Sequence, residues 1–133
     1  MNQVVVKQEK SGYQIVEAYK SLRTNLQFCG EDKKVIAVTS CTPNEGKSSV
    51  SMQLGISLAE SGKRVILIDA DLRKSVLLGR TKTQKSVRGL AHFLSGQATL
   101  EDVICSTNVK NFYMIYSGPF PPNPAELLGG KNF

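Results

Sequence analysis

The order of apolar and polar residues along the 133-residue chain predicts an α/β protein. Apolar residues three and four apart over Gln14–Phe28 predict an amphipathic helix. A second helix is predicted over Gly46–Ser61, with Gly62 as its left-handed terminator. The short apolar runs Val35–Ser40 and Arg64–Asp69 lie on either side of this helix, and each predicts a strand covered on both faces. Strand, helix and strand in this order predict a parallel βαβ unit with a right-handed crossover.

The remaining chain predicts shorter elements around this unit. Residues 1–13 are expected to form a flexible N-terminal arm before a domain that spans residues 14–133. Asp102 lies three residues after Thr99, which is a weaker relative of the capping box at a helix start. The other predicted elements are short helices at Val87–Leu94, from Thr99 and at Ala125–Leu128, and a third strand at Phe112–Tyr116.

The composition is typical of a soluble globular protein, with 41% hydrophobic and 21% charged residues. The apolar run Val65–Ile68 is far shorter than the roughly 20 residues that cross a bilayer. No apolar segment follows Met1 as in a signal peptide, so a cytoplasmic location is expected. Three cysteines without a C-x-x-C spacing indicate free thiols instead of a disulfide or zinc framework.

The formal net charge of +6 comes from one stretch of the chain. Residues 73–88 contain bases and no acid, and the rest of the chain has equal numbers of each. The bases of this stretch are Arg73, Lys74, Arg80, Lys82, Lys85 and Arg88. This basic stretch is expected to contact an acidic partner or a membrane surface, or to be a solvated loop. Because no DNA- or RNA-binding motif accompanies it and few aromatics lie nearby, a nucleic-acid partner is not expected.

The segment CTPNEGKS, from Cys41 to Ser48, joins the first predicted strand to the following helix. Its ending, Gly46-Lys47-Ser48, is that of a phosphate-binding loop, although Cys41 stands where the pattern begins with glycine. Backbone N–H groups at a helix N-terminus face phosphate, a lysine neutralises its oxygens, and a serine hydroxyl can bind Mg²⁺. The strand–loop–helix context therefore predicts a nucleotide site here.

Two carboxylates, Asp69 and Asp71, follow directly after the second predicted strand. Ligands of open α/β sheets bind outside the carboxyl ends of the strands, so both residues are expected on the phosphate side. One carboxylate can hold Mg²⁺ or its water, and the other can accept the proton of an attacking hydroxyl.

Taken together, these segments resemble the bacterial tyrosine kinases of capsule and exopolysaccharide synthesis. The motifs that carry the resemblance are TSCTPNEGKSS, VILIDADLRK, GLAHFLSGQATLEDV and SGPFPPNPAELL. The resemblance implies a doubly wound parallel sheet of the P-loop NTPase type and an autophosphorylating kinase that uses ATP and Mg²⁺. It implies catalytic roles for Lys47, Asp69 and Asp71, with Ser48 and Asp69 on the metal. The implied nucleotide contacts are Pro43, Asn44, Glu45, Gly46, Lys47, Ser48, Ser49 and Arg73.

The resemblance also gives a meaning to charges on the first predicted helix. Glu17, Lys20 and Arg23 are expected to form an outward-facing ladder, and the family carries E-x-x-R-x-x-R there as a ring-forming subunit contact. Lys20 replaces an arginine and lacks its bidentate fork. The implied partners are a transmembrane adaptor of polysaccharide export, tyrosine-bearing protein substrates and further copies of the chain. Recruitment to the inner face of the membrane by such a partner is implied as well.

Two other functions stay open from the sequence. The family continues past P-x-N-P-x-E-L-L with a Walker B strand and a tyrosine-rich tail, and neither is expected in these residues, so the sheet is expected to be incomplete at its C-terminus. A non-catalytic ATP-binding or interaction module is therefore one alternative. A partitioning-type P-loop ATPase is the other, although the extra early lysine of that group is missing at Cys41-Thr42-Pro43. His92, the only histidine, is expected to be structural.

Overall fold

The computed structural model describes residues 2–6, 13–30, 32, 34–39, 47–71, 81–83, 88–118 and 123–131. Within these ranges the strands are β1 (Asn2–Val6), β2 (Val65–Ile68), β3 (Thr81–Thr83), β4 (Cys105–Thr107) and β5 (Phe112–Ile115). The helices in the same ranges are α1 (Tyr13–Phe28), α2 (Lys47–Glu60), α3 (Leu90–Leu94), α4 (Leu100–Val103) and α5 (Pro124–Leu128). The predicted α/β class is confirmed.

The strands form one mixed sheet in the order β2-β5-β4-β1-β3. β2 runs parallel to β5, with Val65 opposite Phe112 and Ile68 opposite Ile115. The pair β1–β4 is also parallel, whereas β4–β5 and β1–β3 are antiparallel. Because β2 and β5 run in the same direction, their carboxyl ends reach the same edge of the sheet.

Residues 34–39 correct the prediction of a first buried strand at Val35–Ser40. The segment joins no ladder of the described strands, and Val35 is 91% exposed. The predicted βαβ unit is therefore absent from the described residues, and Ser40 lies outside them. The physical reason is that an apolar run favours burial without specifying the strand that supplies its ladder hydrogen bonds. β2 pairs with β5 instead, and with Ile66 49% exposed it is not buried on both faces.

For residues 2–6, β1 corrects the prediction of a flexible N-terminal arm. It pairs with β4 on one side and β3 on the other, and its alternate residues Val4 and Val6 are buried. The Asn108 side chain extends the pairing, since its Oδ1 accepts from the Val6 N–H at 2.7 Å and its Nδ2 donates to the Val6 carbonyl at 3.4 Å. β3 also gives part of the basic stretch a strand structure, at Thr81–Thr83.

α2 confirms the predicted second helix and packs on the sheet through a glycine. A Cβ at Gly55 would lie 2.6 Å from Cε1 of Phe112, a ring that is only 1% exposed. The buried side chains of Met52, Ile56 and Ala59 join Phe112 in the larger core cluster. α2 therefore approaches the sheet closely, and the contact fixes the position of α2 along β5.

α1 confirms the first predicted helix and corrects one of its charges. Lys20 Nζ lies 3.6 Å from Glu17 Oε1, in an ion pair on the helix surface. Arg23, however, does not point outward, because Nη1 donates to the Ser57 carbonyl at 2.9 Å and to Ser57 Oγ at 3.4 Å. Each residue turns a helix by about 100°, so Arg23 lies roughly 120° around from Glu17 and reaches α2.

Short capping interactions define α3 and α4. The predicted capping box of α4 is confirmed: the Thr99 N–H donates to Asp102 Oδ2 at 2.9 Å, and the Asp102 N–H donates to Thr99 Oγ1 at 3.3 Å. The pKa of Asp102 is lowered, mainly by its hydrogen bond with the Thr99 backbone and secondly by its hydrogen bond with the Thr99 side chain. His92 Nδ1 accepts the Gly89 N–H at 3.0 Å at the start of α3, which agrees with the expected structural role.

The described cysteines are free thiols, as the sequence predicts. Cys29 is exposed, whereas Cys105 is buried and its burial raises the pKa of its thiol. Cys41, in the predicted phosphate loop, lies outside the described residues. None of the described helices is long and apolar enough to cross a membrane.

Candidate functional site

Asp69 and Asp71 lie together just past the C-terminal end of β2, as predicted. The Asp69 N–H donates to the Ile115 carbonyl at 2.9 Å, which extends the β2–β5 ladder by one bond. The Asp71 N–H donates to Asp69 Oδ1 at 3.0 Å in an aspartate turn. Both residues are half-buried. The two carboxylates therefore stand at the edge where β2 and β5 both end.

The N-terminus of α2 lies at the level of the same edge. Gly55 of α2 packs against Phe112, the first residue of β5. α2 is joined to β2 by a short turn and packs against it, so it runs opposite to β2 and β5. From Gly55 to Lys47 the helix extends about 12 Å, and from Phe112 to Ile115 the strand extends about 10 Å. Measured along the direction of the strands, the backbone of Lys47 therefore lies at about the same level as Asp69.

Several predicted site residues lie outside the described part of the chain. They are Pro43, Asn44, Glu45, Gly46 and Arg73, together with the side chains of Lys47 and Ser48. Ser49 is half-buried in the first turn of α2. The structure thus places the two carboxylates and the start of α2, at Lys47 and Ser48, at the same edge of the sheet.

The end of β5 is a component of this edge that the sequence reasoning did not assign. Ser117 is buried there, and the N-terminal residues of α3 donate hydrogen bonds to the backbone beside it. The available signal was a pair of glycines, Gly89 before α3 and Gly118 after β5.

The donor set at this edge fits Mg²⁺. Two half-buried carboxylates suit an ion that binds one or two protein carboxylates and keeps several waters for phosphate oxygens to replace. In the part of the chain that the structure describes, no group of three or more His, Cys, Asp or Glu could hold a metal ion. Of the two predicted metal ligands, the side chain of Asp69 lies within the described residues and that of Ser48 lies outside them.

A cavity of about 680 Å³ lies elsewhere, between α1, α2 and β2. Its lining includes the alternate residues Lys34, Ile36 and Val38, and it includes Lys63 and Arg64 just before β2. Asp69 and Asp71 do not line it. The chemistry-bearing residues are at the sheet edge, so we assign the candidate site there.

Comparisons with known proteins decide the family. Residues 33–119, more than half of the chain, match the sequence profile described as AAA domain. The chain belongs to the AAA domain family. It is 45% identical over 117 residues to the tyrosine-protein kinase CpsD of Streptococcus agalactiae, which covers 88% of this chain and 51% of that protein. It is 40% identical over 117 residues to the tyrosine-protein kinase YwqD of Bacillus subtilis, covering 86% and 49% respectively.

A solved structure gives the same relationship for this AAA domain. The BceF tyrosine kinase domain is 44% identical and superposes with a TM-score of 0.78, covering 88% of this chain and 47% of that one. The P-loop NTPase-like fold and the resemblance to bacterial tyrosine kinases are confirmed. The chain spans about half the length of the curated relatives it matches.

Proposed function

We propose that the chain forms the nucleotide-binding part of an autophosphorylating, ATP-dependent protein tyrosine kinase that regulates capsular or exopolysaccharide synthesis. The observation that carries the proposal is that Asp69 and Asp71 follow the end of β2 at the sheet edge toward which the N-terminus of the antiparallel helix α2 points. The printed names of the relatives, which are tyrosine-protein kinases, support the same reaction.

Each site residue has one role in this proposal. Backbone N–H groups at the start of α2 bind phosphate, and Lys47 neutralises its oxygens. Ser48 and Asp69 hold Mg²⁺, and Asp71 accepts the proton of the tyrosine hydroxyl. ATP with Mg²⁺ supplies the phosphoryl group. The other proposed nucleotide contacts are Pro43, Asn44, Glu45, Gly46, Ser49 and Arg73.

The proposed partners follow from the resemblance. The chain would act in the cytoplasm on protein tyrosines, recruited to the inner face of the membrane by a transmembrane adaptor of polysaccharide export. A contact between copies is proposed on α1, where the Glu17 and Lys20 side chains are about half exposed. Arg23 can join this contact only by leaving the Ser57 carbonyl to which it donates.

Lys47→Met is expected to weaken ATP binding by about tenfold to a hundredfold. The reason is that a hydrogen bond to a charged group contributes about 1.5–3 kcal/mol, and this substitution removes the cation from the phosphate. Isothermal titration calorimetry with ATP and Mg²⁺ measures the change. Lys110→Met is the matched control, since Lys110 is exposed just before β5, at the opposite edge of the sheet.

Equal ATP affinity of Lys47→Met and the unsubstituted chain would contradict the assigned phosphate site. The same samples separate the other functions. ATP hydrolysis without phosphotyrosine would indicate a partitioning-type ATPase. Oligomer formation without any ATP binding would indicate an interaction module.

A further inference from the structure

The backbone at the end of β5 holds two different elements at once. Three consecutive carbonyls accept hydrogen bonds, one from the end of β2 and two from the start of α3. The bonds run from the Asp69 N–H to Ile115 (2.9 Å), from the Leu90 N–H to Tyr116 (2.6 Å) and from the Ala91 N–H to Ser117 (2.9 Å). The position of α3 and the position of Asp69 are therefore both fixed through residues 115–117.

Gly89 lies against this segment with no space for a side chain. A Cβ at Gly89 would overlap the N and Cα atoms of Gly118 and lie 2.6 Å from the Ser117 carbonyl carbon. All of these are backbone atoms, so no change of rotamer can make room. Gly118 has a φ of 82°, in the left-handed region that favours glycine. The close approach therefore needs a glycine on both sides.

His92 holds Gly89 in this position. Its Nδ1 accepts the Gly89 N–H at 3.0 Å, and the His92 N–H donates to the Gly89 carbonyl at 3.0 Å. The arrangement replaces the Glu or Gln that usually stands at this position of a capping box. A continuous series of contacts therefore runs from His92 through Gly89 and residues 115–118 to Asp69.

We infer that Gly89 is a positioning residue for Asp69, acting through the backbone at the end of β5. A side chain at position 89 displaces Ser117 and Gly118, and the displaced strand end carries Asp69 with it through the Ile115 carbonyl. Asp69 then shifts relative to the N-terminus of α2. Gly89 itself touches neither nucleotide nor metal in this inference, which rests on the proposed function.

The test compares Gly89→Ala with Gly96→Ala. Gly96 is just past the other end of α3, and its φ of 81° makes alanine strained there, but a Cβ would meet nothing within 4 Å. The readout is the ratio of ATP affinities in Mg²⁺ and in EDTA. Gly89→Ala is expected to lower this ratio about tenfold or more, because the loss of one interaction with a charged group corresponds to a change of this size in affinity. Gly96→Ala is expected to keep the ratio.

A second pair of variants tests the inference without a new steric overlap. His92→Ala removes the acceptor for the Gly89 N–H and is expected to lower the same ratio about threefold, in keeping with the energy of one ordinary hydrogen bond. His92→Gln supplies an acceptor again and is expected to restore the ratio. This pair gives the answer if Gly89→Ala does not fold.

The outcomes separate the inference from the proposed function. A folded Gly89→Ala with the unchanged ratio, an equal fall in Gly96→Ala, or a fall in His92→Ala that His92→Gln does not restore would overturn the inference alone. If the unsubstituted chain binds ATP equally in Mg²⁺ and EDTA, the proposed metal site fails, and the inference fails with it.

Discussion

Asp69→Asn is expected to remove most of the Mg²⁺ dependence of ATP binding. The substitution removes a negative charge from the metal, and interactions with a charged group contribute about 1.5–3 kcal/mol, or about tenfold to a hundredfold in affinity. Asparagine at position 69 keeps an oxygen that can accept the Asp71 N–H, so the turn survives while the charge is lost. Titration calorimetry with ATP in Mg²⁺ and in EDTA measures the effect.

Glu60→Gln is the control for this variant. Glu60 is the exposed last residue of α2, close to the start of β2 and so at the opposite edge of the sheet, and its loss is expected to leave Mg²⁺ dependence unchanged. Circular dichroism confirms that each variant is folded. A folded Asp69→Asn chain that keeps the full Mg²⁺ dependence would contradict the assignment of Asp69 to the metal.

Gly55→Val is expected to lower the free energy of unfolding by about 3 kcal/mol, the upper range for overpacking a core. The cause is the Phe112 ring, since its Cε1 would be 2.6 Å from the new Cβ and it is almost fully buried. For a chain of this length the loss corresponds to a fall in Tm of roughly 10 °C. Thermal unfolding followed by circular dichroism measures it.

Glu60→Val controls for the helix propensity of valine in α2. Glu60 is the exposed last residue of this helix, so the change is expected to stay within about 0.7 kcal/mol. Adding Phe112→Leu to Gly55→Val makes room and is expected to recover part of the stability. An unchanged Tm in Gly55→Val would contradict the packing of α2 on β5. The position of Lys47 along the strand direction, level with Asp69, depends on this packing.

Features that depend on neighbouring residues were predictable from the sequence. The apolar period of α2 and the caps of α4 are local, and both agree with the structure. The contact of Gly55 with the sheet accompanies this local pattern, since a glycine on the packed face of a helix leaves room for a large ring. The place of Asp69 and Asp71 at the carboxyl end of a strand was predictable as well, because both directly follow the apolar run that forms β2.

Features that depend on distant partners were not predictable in the same way. β1 was expected to be an arm because its partner β4 lies about a hundred residues further along the chain. Val35–Ser40 was expected to be a strand because its pattern favours burial, although pattern does not specify a pairing. The Arg23 side chain was expected to face outward, because the spacing of charges along a helix does not show that a long side chain reaches Ser57 on another helix. The Gly89–Gly118 contact is likewise a backbone approach between separate elements.

The central claim is that the first turn of α2 and the end of β2 form one metal–nucleotide site. Nuclear magnetic resonance of the ¹⁵N-labelled chain with ATP tests it most directly when Mn²⁺ replaces Mg²⁺, because unpaired electrons broaden the signals of nearby nuclei. We predict that the amide signals of Ser49, Asp69 and Asp71 lose intensity, while that of Lys110 at the opposite edge is retained. Broadening centred on Lys110, or no selective broadening in the presence of ATP, would contradict the claim.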